Sequence, residues 1–145
     1  MDKVCFLFGH NTAPESLLPT LESAIEKCCA EQRVRQFVVG QHGDFDRLAI
    51  RALRAVKTRH EDIELYLLIH YHPADHRIKL PRDFVGSIYP EGMESVPRRA
   101  AIVAGNRRMV QNADFLICYV RYPGNSKDLM DHALKQGKLI INIAE

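Results

Sequence analysis

The sequence has no marked excess of either charge and no long hydrophobic run. Its 20 basic and 18 acidic residues give a net charge of +2 at pH 7, so a large surface for nucleic acid is not indicated, although a small basic cluster could still hold a phosphate. The apolar stretch at residues 4–8 is too short to span a membrane, and no small-residue cleavage site accompanies it. We therefore expect a cytoplasmic protein whose partner is neither a membrane nor a nucleic acid.

Several well-known motifs are also missing. The four cysteines show no CxxC spacing and lie within apolar segments, which predicts buried, reduced thiols rather than a structural zinc site. The first apolar run is not followed by GxGxxG, and the chain has no GxxxxGK followed by Ser or Thr, so a conventional dinucleotide fingerprint and a P-loop are both excluded. The same run ends without paired aspartates, which argues against a phosphoacceptor receiver domain.

The sequence does contain an alternation of continuous apolar runs and amphipathic segments. Runs without polar alternation are typical of strands covered on both faces, and they occur at residues 4–8, 37–39, 63–69, 115–120 and 139–143. The intervening segments predict helices over residues 17–28, 45–56, 96–112 and 126–136. This alternation implies right-handed crossovers. We predict one α/β domain over residues 1–145, a doubly wound Rossmann-like three-layer sandwich with a five-stranded parallel sheet in the order 3-2-1-4-5.

The connections carry further local signals. Thr12 and Glu15 have the spacing of a capping box, Asp44 is the expected N-cap of the second helix, and Gly137 is expected to end the fourth. Residues 71–95 contain several prolines and no periodicity, which predicts a long loop of the kind that is usually functional or mobile.

Three glycine-containing loops follow predicted strands, at residues 9–12, 40–44 and 121–126. Open parallel sheets bind ligands beyond the carboxyl ends of their strands, where the strand order reverses. Glycine lets the backbone approach a ligand, and free amides at a helix N-terminus attract anions. Each loop by itself fits an ordinary tight turn, but the three together on one rim favour a phosphate or nucleotide site.

Three histidines cluster after the third predicted strand. His70, His72 and His76 superficially resemble the HxHxDH metal motif of metallo-β-lactamases. The spacing differs by one residue, and the chain is too short for that two-sheet fold. We therefore predict a solvated histidine cluster and no metal site.

Charged residues gather before and within the third predicted helix. Glu91 and Glu94 stand near the arginines at residues 98–99, and a helix-start charge cluster is the alternative to a functional role for them, because acidic side chains are favourable near an N-terminal dipole. Arg107 and Arg108 cannot both face a core, so at least one is available to solvent or ligand. A guanidinium suits a phosphate better than an ammonium does.

Four motifs together resemble the small bacterial SLOG proteins, which share a Rossmann-like superfamily with the cytokinin-activating LOG enzymes and DNA-processing protein A. The motifs are Phe-Gly-His at residues 8–10, Gly43-x-x-Asp46, Tyr-Pro-Glu-Gly-Met-Glu at 89–94, and Asn-Arg-x-Met-Val at 106–110 ahead of Asp114. The resemblance spans nearly the whole chain and implies a nucleotide or nucleotide-derived ligand on the rim, and often a homodimer. The residues that it places on the rim are Gly9, His10, Gly43, Asp46, Asn106, Arg107 and Gly124. Asp44, Asn125 and Ser126 from the same loops complete the candidate ligand-binding set.

The chain departs from the family pattern at several positions. Asn11 follows Gly-His where the family usually has a basic residue, and Gly105 stands where it often has arginine. The LOG phosphoribohydrolase pattern PGGxGTxxE is reduced to PGNSKDLMD at residues 123–131, where only Asp131 could stand for the glutamate. The shorter side chain weakens the match to that chemistry.

Two functions from different classes follow. The first is a module that senses or holds a nucleotide-like ligand without turning it over and without a cofactor. The alternative is an enzyme that hydrolyses the N-glycosidic bond of a nucleoside monophosphate. That reaction passes through an oxocarbenium-like sugar and needs a carboxylate beside the ribose, for which Glu91, Glu94 and Asp131 are the candidates.

Overall fold

Each apolar run that predicts a strand forms one in the computed structural model, which describes residues 2–144. The strands are Lys3–Gly9 (β1), Val34–Val39 (β2), Glu64–Leu68 (β3), Gly86–Ile88 (β4), Phe115–Tyr119 (β5) and Leu139–Asn142 (β6). The longer helices are Leu18–Gln32 (α1), Asp44–Lys57 (α2), Ala101–Asn112 (α3) and Asn125–Lys135 (α4). Within the described residues, no helix has the length and apolar character needed to cross a membrane.

All strand pairs are parallel, and the strand order is β4-β3-β2-β1-β5-β6. The predicted doubly wound α/β architecture is therefore confirmed, and the five predicted strands keep their predicted order. The strand count was wrong, because the segment 71–95 contributes the short strand β4 at the edge beside β3. Residues 86–88 contain no apolar run and are too few to show a periodic pattern. They form a strand because they pair with β3.

The sheet lies between two apolar layers because successive side chains point to opposite faces. Leu7 packs with residues of α1 and α2, whereas Phe6 and Phe8 pack with residues of α3 and α4. The predicted burial of the cysteines is confirmed, and the four form no disulfide among themselves: Cys5, Cys28, Cys29 and Cys118.

Two predicted N-caps were wrong. The Thr12–Glu15 capping box does not form: a short 3₁₀ helix at Glu15–Leu17 precedes α1, which has no side-chain cap, and the Glu15 carboxylate accepts a hydrogen bond from Arg51 at 3.1 Å. The N-cap of α2 is Gly43 rather than Asp44. Asp44 lies inside the helix, where its carboxylate pairs with Arg47 and accepts a bond from the Ala13 amide at 3.4 Å.

The third helix begins later than residue 96, where the apolar pattern placed its start. Val96 precedes a proline and is extended, as the ring of a following proline requires. Two 3₁₀ helices, Met93–Ser95 and Arg98–Ala100, occupy the region before α3. This late start leaves the side chains of residues 93–100 on an irregular segment beside the carboxyl edge of the sheet.

Candidate functional site

A cleft of about 890 Å³ opens at the carboxyl ends of the strands. It lies where the strand order reverses, because β1 stands between β2 on one side and β5 on the other. The loops after β1, β2 and β5 form its floor and rim, β3 contributes His70 just beyond its end, and α3 forms one wall. This is the position at which doubly wound sheets bind their ligands.

Nine of the ten candidate ligand-binding residues line this cleft, namely Gly9, His10, Gly43, Asp46, Asn106, Arg107, Gly124, Asn125 and Ser126. The tenth, Asp44, lies outside the lining and is engaged by Arg47 and the Ala13 amide.

The three candidate catalytic carboxylates lie outside the lining of the cleft. Asp131 is held by the Lys127 ammonium at 2.8 Å on the surface of α4. Glu94 lines a separate hollow of about 270 Å³, and Glu91 is exposed and lines neither space. The carboxylates that do line the cleft are Asp46 and Asp128.

Gly43 joins the loop after β2 to the loop after β1. Its φ of 93° and ψ of 179° are accessible essentially to glycine only, and an added Cβ would stand 2.7 Å from the Asn11 Cα. The next amide, that of Asp44, donates to the Asn11 carbonyl at 2.6 Å. The contact fixes the first turn of α2 against the β1 loop.

His10 joins the loop after β1 to the loop after β5. Its Nε2 accepts a hydrogen bond from the Arg121 amide at 2.8 Å, which places the proton of the neutral ring on Nδ1. The ring stacks on Tyr122 with centroids 3.7 Å apart and planes 4° from parallel. Burial, with a smaller effect of the Arg121 charge, lowers the pKa of His10, so the imidazole is neutral at neutral pH.

The N-terminus of α4 faces the cleft without a side-chain cap. Gly124 occupies the N-cap with a φ of 148°, and an added Cβ would meet nothing within 4 Å. Gly124, Asn125 and Ser126 all line the cleft. The first backbone amides of a helix have no partner within the helix, so this end is suited to an anion.

The wall formed by α3 combines cationic and apolar side chains. Arg107, Ile102 and Val103 of α3 line the cleft together with Arg99 of the preceding 3₁₀ helix, and these four side chains are exposed. Arg107 makes no hydrogen bond or ion pair to Glu91 or Glu94 within the described part of the chain. Its neighbour Arg108 points elsewhere, donating to the Met93 sulfur at 3.6 Å.

Four polar residues, which we call the buried polar cluster, line the cleft: Asp46 and His70 are buried, and His42 and Asn106 are half-buried. Asp46 Oδ2 accepts from the His42 amide at 2.9 Å, and His70 Nε2 lies 2.8 Å from Asn106 Oδ1. The His42 and His70 rings are 5.1 Å apart.

Burial sets the protonation of this cluster. It raises the pKa of Asp46 to about 7, against the opposing effects of the His42 amide and the Arg47 charge. It lowers the pKa of His70 to about 4, although the bond to Asn106 acts the other way, and it lowers the pKa of His42. Both imidazoles are therefore neutral at neutral pH. Asp46, with a pKa of about 7, is partly protonated at the same pH.

The sequence interpretation missed the apolar part of the α3 wall, and its prediction of a solvated histidine cluster was wrong for His70, which is 4% exposed. A helical signal for the wall exists, since Val103 and Arg107 are four residues apart and so share a face of α3. Ile102 and Asn106 have the same spacing. His70 follows the apolar run at residues 63–69, which is a signal for the carboxyl edge of the sheet, whereas its burial depends on contact with Gly105 and Asn106 of α3.

The other histidines of the predicted cluster are apart from the cleft. His72 lines the smaller hollow, and His76 stacks on Tyr71 and contacts Arg98. Between residues 2 and 144, no group of three or more His, Cys, Asp or Glu side chains is arranged to hold a metal ion.

Comparison of the chain with models of known protein families and with curated proteins found no match. The resemblance to the SLOG family therefore rests on the sequence motifs alone.

Proposed function

We propose that this protein binds a nucleotide or a nucleotide-derived phosphate compound in the cleft at the carboxyl ends of β1, β2 and β5, as a sensor or binding module. The observation that carries the proposal is the convergence of the α4 N-terminus with Arg107 on one cleft at the point of strand reversal, where among residues 2–144 neither has a side-chain partner. The volume of about 890 Å³ falls within the range of small-molecule sites.

The chemistry of the walls supports the same ligand class. Backbone amides of α4 and the Arg107 guanidinium suit phosphate oxygens, which accept charge-assisted hydrogen bonds. Ile102, Val103 and the exposed ring of Tyr122 offer apolar surface to a base. A phosphate group joined to a flat heterocycle matches both.

N-glycosidic hydrolysis is the second candidate. The position of Glu91, Glu94 and Asp131 outside the lining of the cleft favours binding over turnover. Asp46 and Asp128 keep the alternative open, since a carboxylate beside the ribose could stabilise an oxocarbenium-like sugar. Release of free base from a bound nucleotide would establish hydrolysis.

Membership of the SLOG family, a cytoplasmic location and a homodimer with a mainly helical interface are further proposals, which rest on the sequence. Light scattering at micromolar concentration should give twice the chain mass of 16.6 kDa if the dimer forms. A monomeric mass would contradict it.

Replacing Arg107 with alanine should weaken nucleotide binding about ten- to a hundredfold, because one charge-assisted hydrogen bond to a phosphate is lost, roughly 1.5–3 kcal/mol. The fold should be unaffected, since the side chain is exposed and makes no ion pair among residues 2–144. Calorimetric titration with a panel of nucleoside monophosphates measures the change.

Arg108→Ala is the matched control, since it removes the same charge one position along α3 from a side chain outside the lining. It should leave the affinity near that of the wild type. Equal losses in the two variants would show a general charge effect, and no binding of any phosphate compound by the wild type would refute the proposed function.

A further inference from the structure

The cleft has two regions of different chemistry. After β5, the α4 N-terminus presents backbone donors, and Arg107 on the α3 wall adds positive charge. Beyond β2 and β3, the buried polar cluster presents a carboxyl group and two neutral imidazoles. β1 separates β2 from β5, so the carboxyl ends of these two strands lie about two strand spacings or roughly 10 Å apart, a distance comparable with the length of a ribose phosphate.

Two polar atoms of the cluster are buried and have no hydrogen-bond partner among residues 2–144. His70 Nε2 donates to Asn106 Oδ1, which leaves Nδ1 of the neutral ring as an acceptor, and this atom has no partner. His42 Nε2 is also buried and unpaired. A buried polar atom without a partner costs roughly 1–3 kcal/mol, a cost that a ligand supplying the missing group would remove. The imidazole of His70, only 4% exposed, lines the cleft.

Two glycines make room for the cluster. A Cβ at residue 105 of α3 would stand 2.6 Å from the His70 Cδ2, and a Cβ at Gly40 would stand 3.0 Å from the Asp46 Oδ2. Any larger residue at these positions would displace the polar side chains. Glycine at these two positions therefore leaves the space that His70 and Asp46 occupy on the floor of the cleft.

The lone pairs of the cluster require donor groups from a ligand. The Asp46 carboxylate accepts hydrogen bonds, the His70 Nδ1 is able to accept one, and neither imidazole carries a positive charge that would attract a phosphate. Ribose hydroxyls are uncharged donors that an acidic residue near the end of the second strand binds in other doubly wound domains. Asn106 and Arg107 are adjacent on α3, so a ligand whose phosphate reaches Arg107 would bring its sugar close to the cluster.

We propose that the buried polar cluster is the ribose subsite of the cleft, and that the protein therefore prefers ribonucleotides to 2′-deoxyribonucleotides. The inference rests on the proposed function and specifies the sugar that the same site accepts.

Calorimetric titration of the wild type with the pairs AMP and dAMP, GMP and dGMP, CMP and dCMP, and UMP and dUMP tests this inference at pH 8. In each pair that binds, the ribonucleotide should bind about ten- to a hundredfold more tightly, as expected for one hydrogen bond to a charged group. Asp46→Asn should weaken ribonucleotide binding towards that of the deoxyribonucleotide and leave the latter nearly unchanged.

Arg107→Ala is the control, because it should weaken both members of a pair by the same factor and preserve their ratio. Equal affinities of the wild type for both members would overturn the ribose subsite and leave the proposed function standing. A preference that persists in full in the Asp46→Asn variant would likewise overturn the assignment to this cluster. No binding of any nucleotide would overturn the inference together with the proposed function.

Discussion

Replacing Gly43 with alanine should destabilise the protein by about 3 kcal/mol or more, a large fraction of the stability of an ordinary domain. Two effects combine at this position. The φ of 93° with a ψ of 179° is strained for any residue with a Cβ, and that Cβ would stand 2.7 Å from the Asn11 Cα. The Asn11 Cα is a backbone atom and cannot move aside as the end of a flexible side chain can. The loops after β1 and β2 must therefore separate to relieve the contact. Urea denaturation followed by circular dichroism measures the loss.

Gly137→Ala is the matched control. Gly137 also has a positive φ, 73°, but an added Cβ there would meet nothing within 4 Å. Only the conformational strain applies, so we expect a loss of about 1 kcal/mol. Similar losses in the two variants would mean that the contact with Asn11 is relieved easily and does not define the cleft.

The Asp46→Asn variant should gain stability relative to the wild type as the pH rises from 5 to 8. The pKa of Asp46 is raised from 3.8 to about 7 by burial, so between these values the folded state holds a proton that the unfolded state has lost. Stability of the wild type therefore falls as the pH rises through this window, by up to about 4 kcal/mol from this group. Asparagine does not titrate, and the difference between the two proteins should grow accordingly.

Comparing the two proteins at each pH separates Asp46 from the histidines. The lowered pKa of His70, about 4, changes stability in the opposite direction. Between pH 4 and about 6.5 the unfolded state binds a proton that the folded state lacks, so this group makes stability rise with pH. Both proteins contain His70, so its contribution largely cancels when the stability of the wild type is subtracted from that of the Asp46→Asn variant. Asp131→Asn serves as the control, since it removes an equal charge from a half-exposed carboxylate. A difference between Asp46→Asn and the wild type that does not change with pH would refute the burial argument.

The strands of this fold could be predicted because burial on both faces leaves continuous apolar runs. The run at residues 115–120 is an example, since all five residues of β5 are buried. β4 could not be predicted, because Gly86, Ser87 and Ile88 form a strand only through pairing with β3. Asp44 was misplaced as an N-cap because the φ of Gly43, which decides where α2 begins, follows from the contact with Asn11 and not from local sequence.

The loops that line the candidate site could be predicted from the sequence, whereas the polar contacts and protonation states on its floor could not. Glycines after β1, β2 and β5 indicate a rim wherever strands are parallel, and the cleft is lined by these loops. The polar floor depends on contacts between distant residues, as between His70 and Asn106, which are 36 positions apart. Local patterns do not encode such pairs, and the same is true of the burial that changes the pKa of Asp46.

The central place of β1 has a consequence for synthesis of the chain on the ribosome. Its Phe6 pairs with Val38 of β2 on one side and with Leu116 of β5 on the other, 110 residues later. The first pairing can form early, whereas the second waits until most of the chain has emerged. Until then β1 has an open, strongly apolar edge that a second nascent chain can occupy. The chain should therefore be most prone to aggregation during synthesis, before β5 leaves the ribosome.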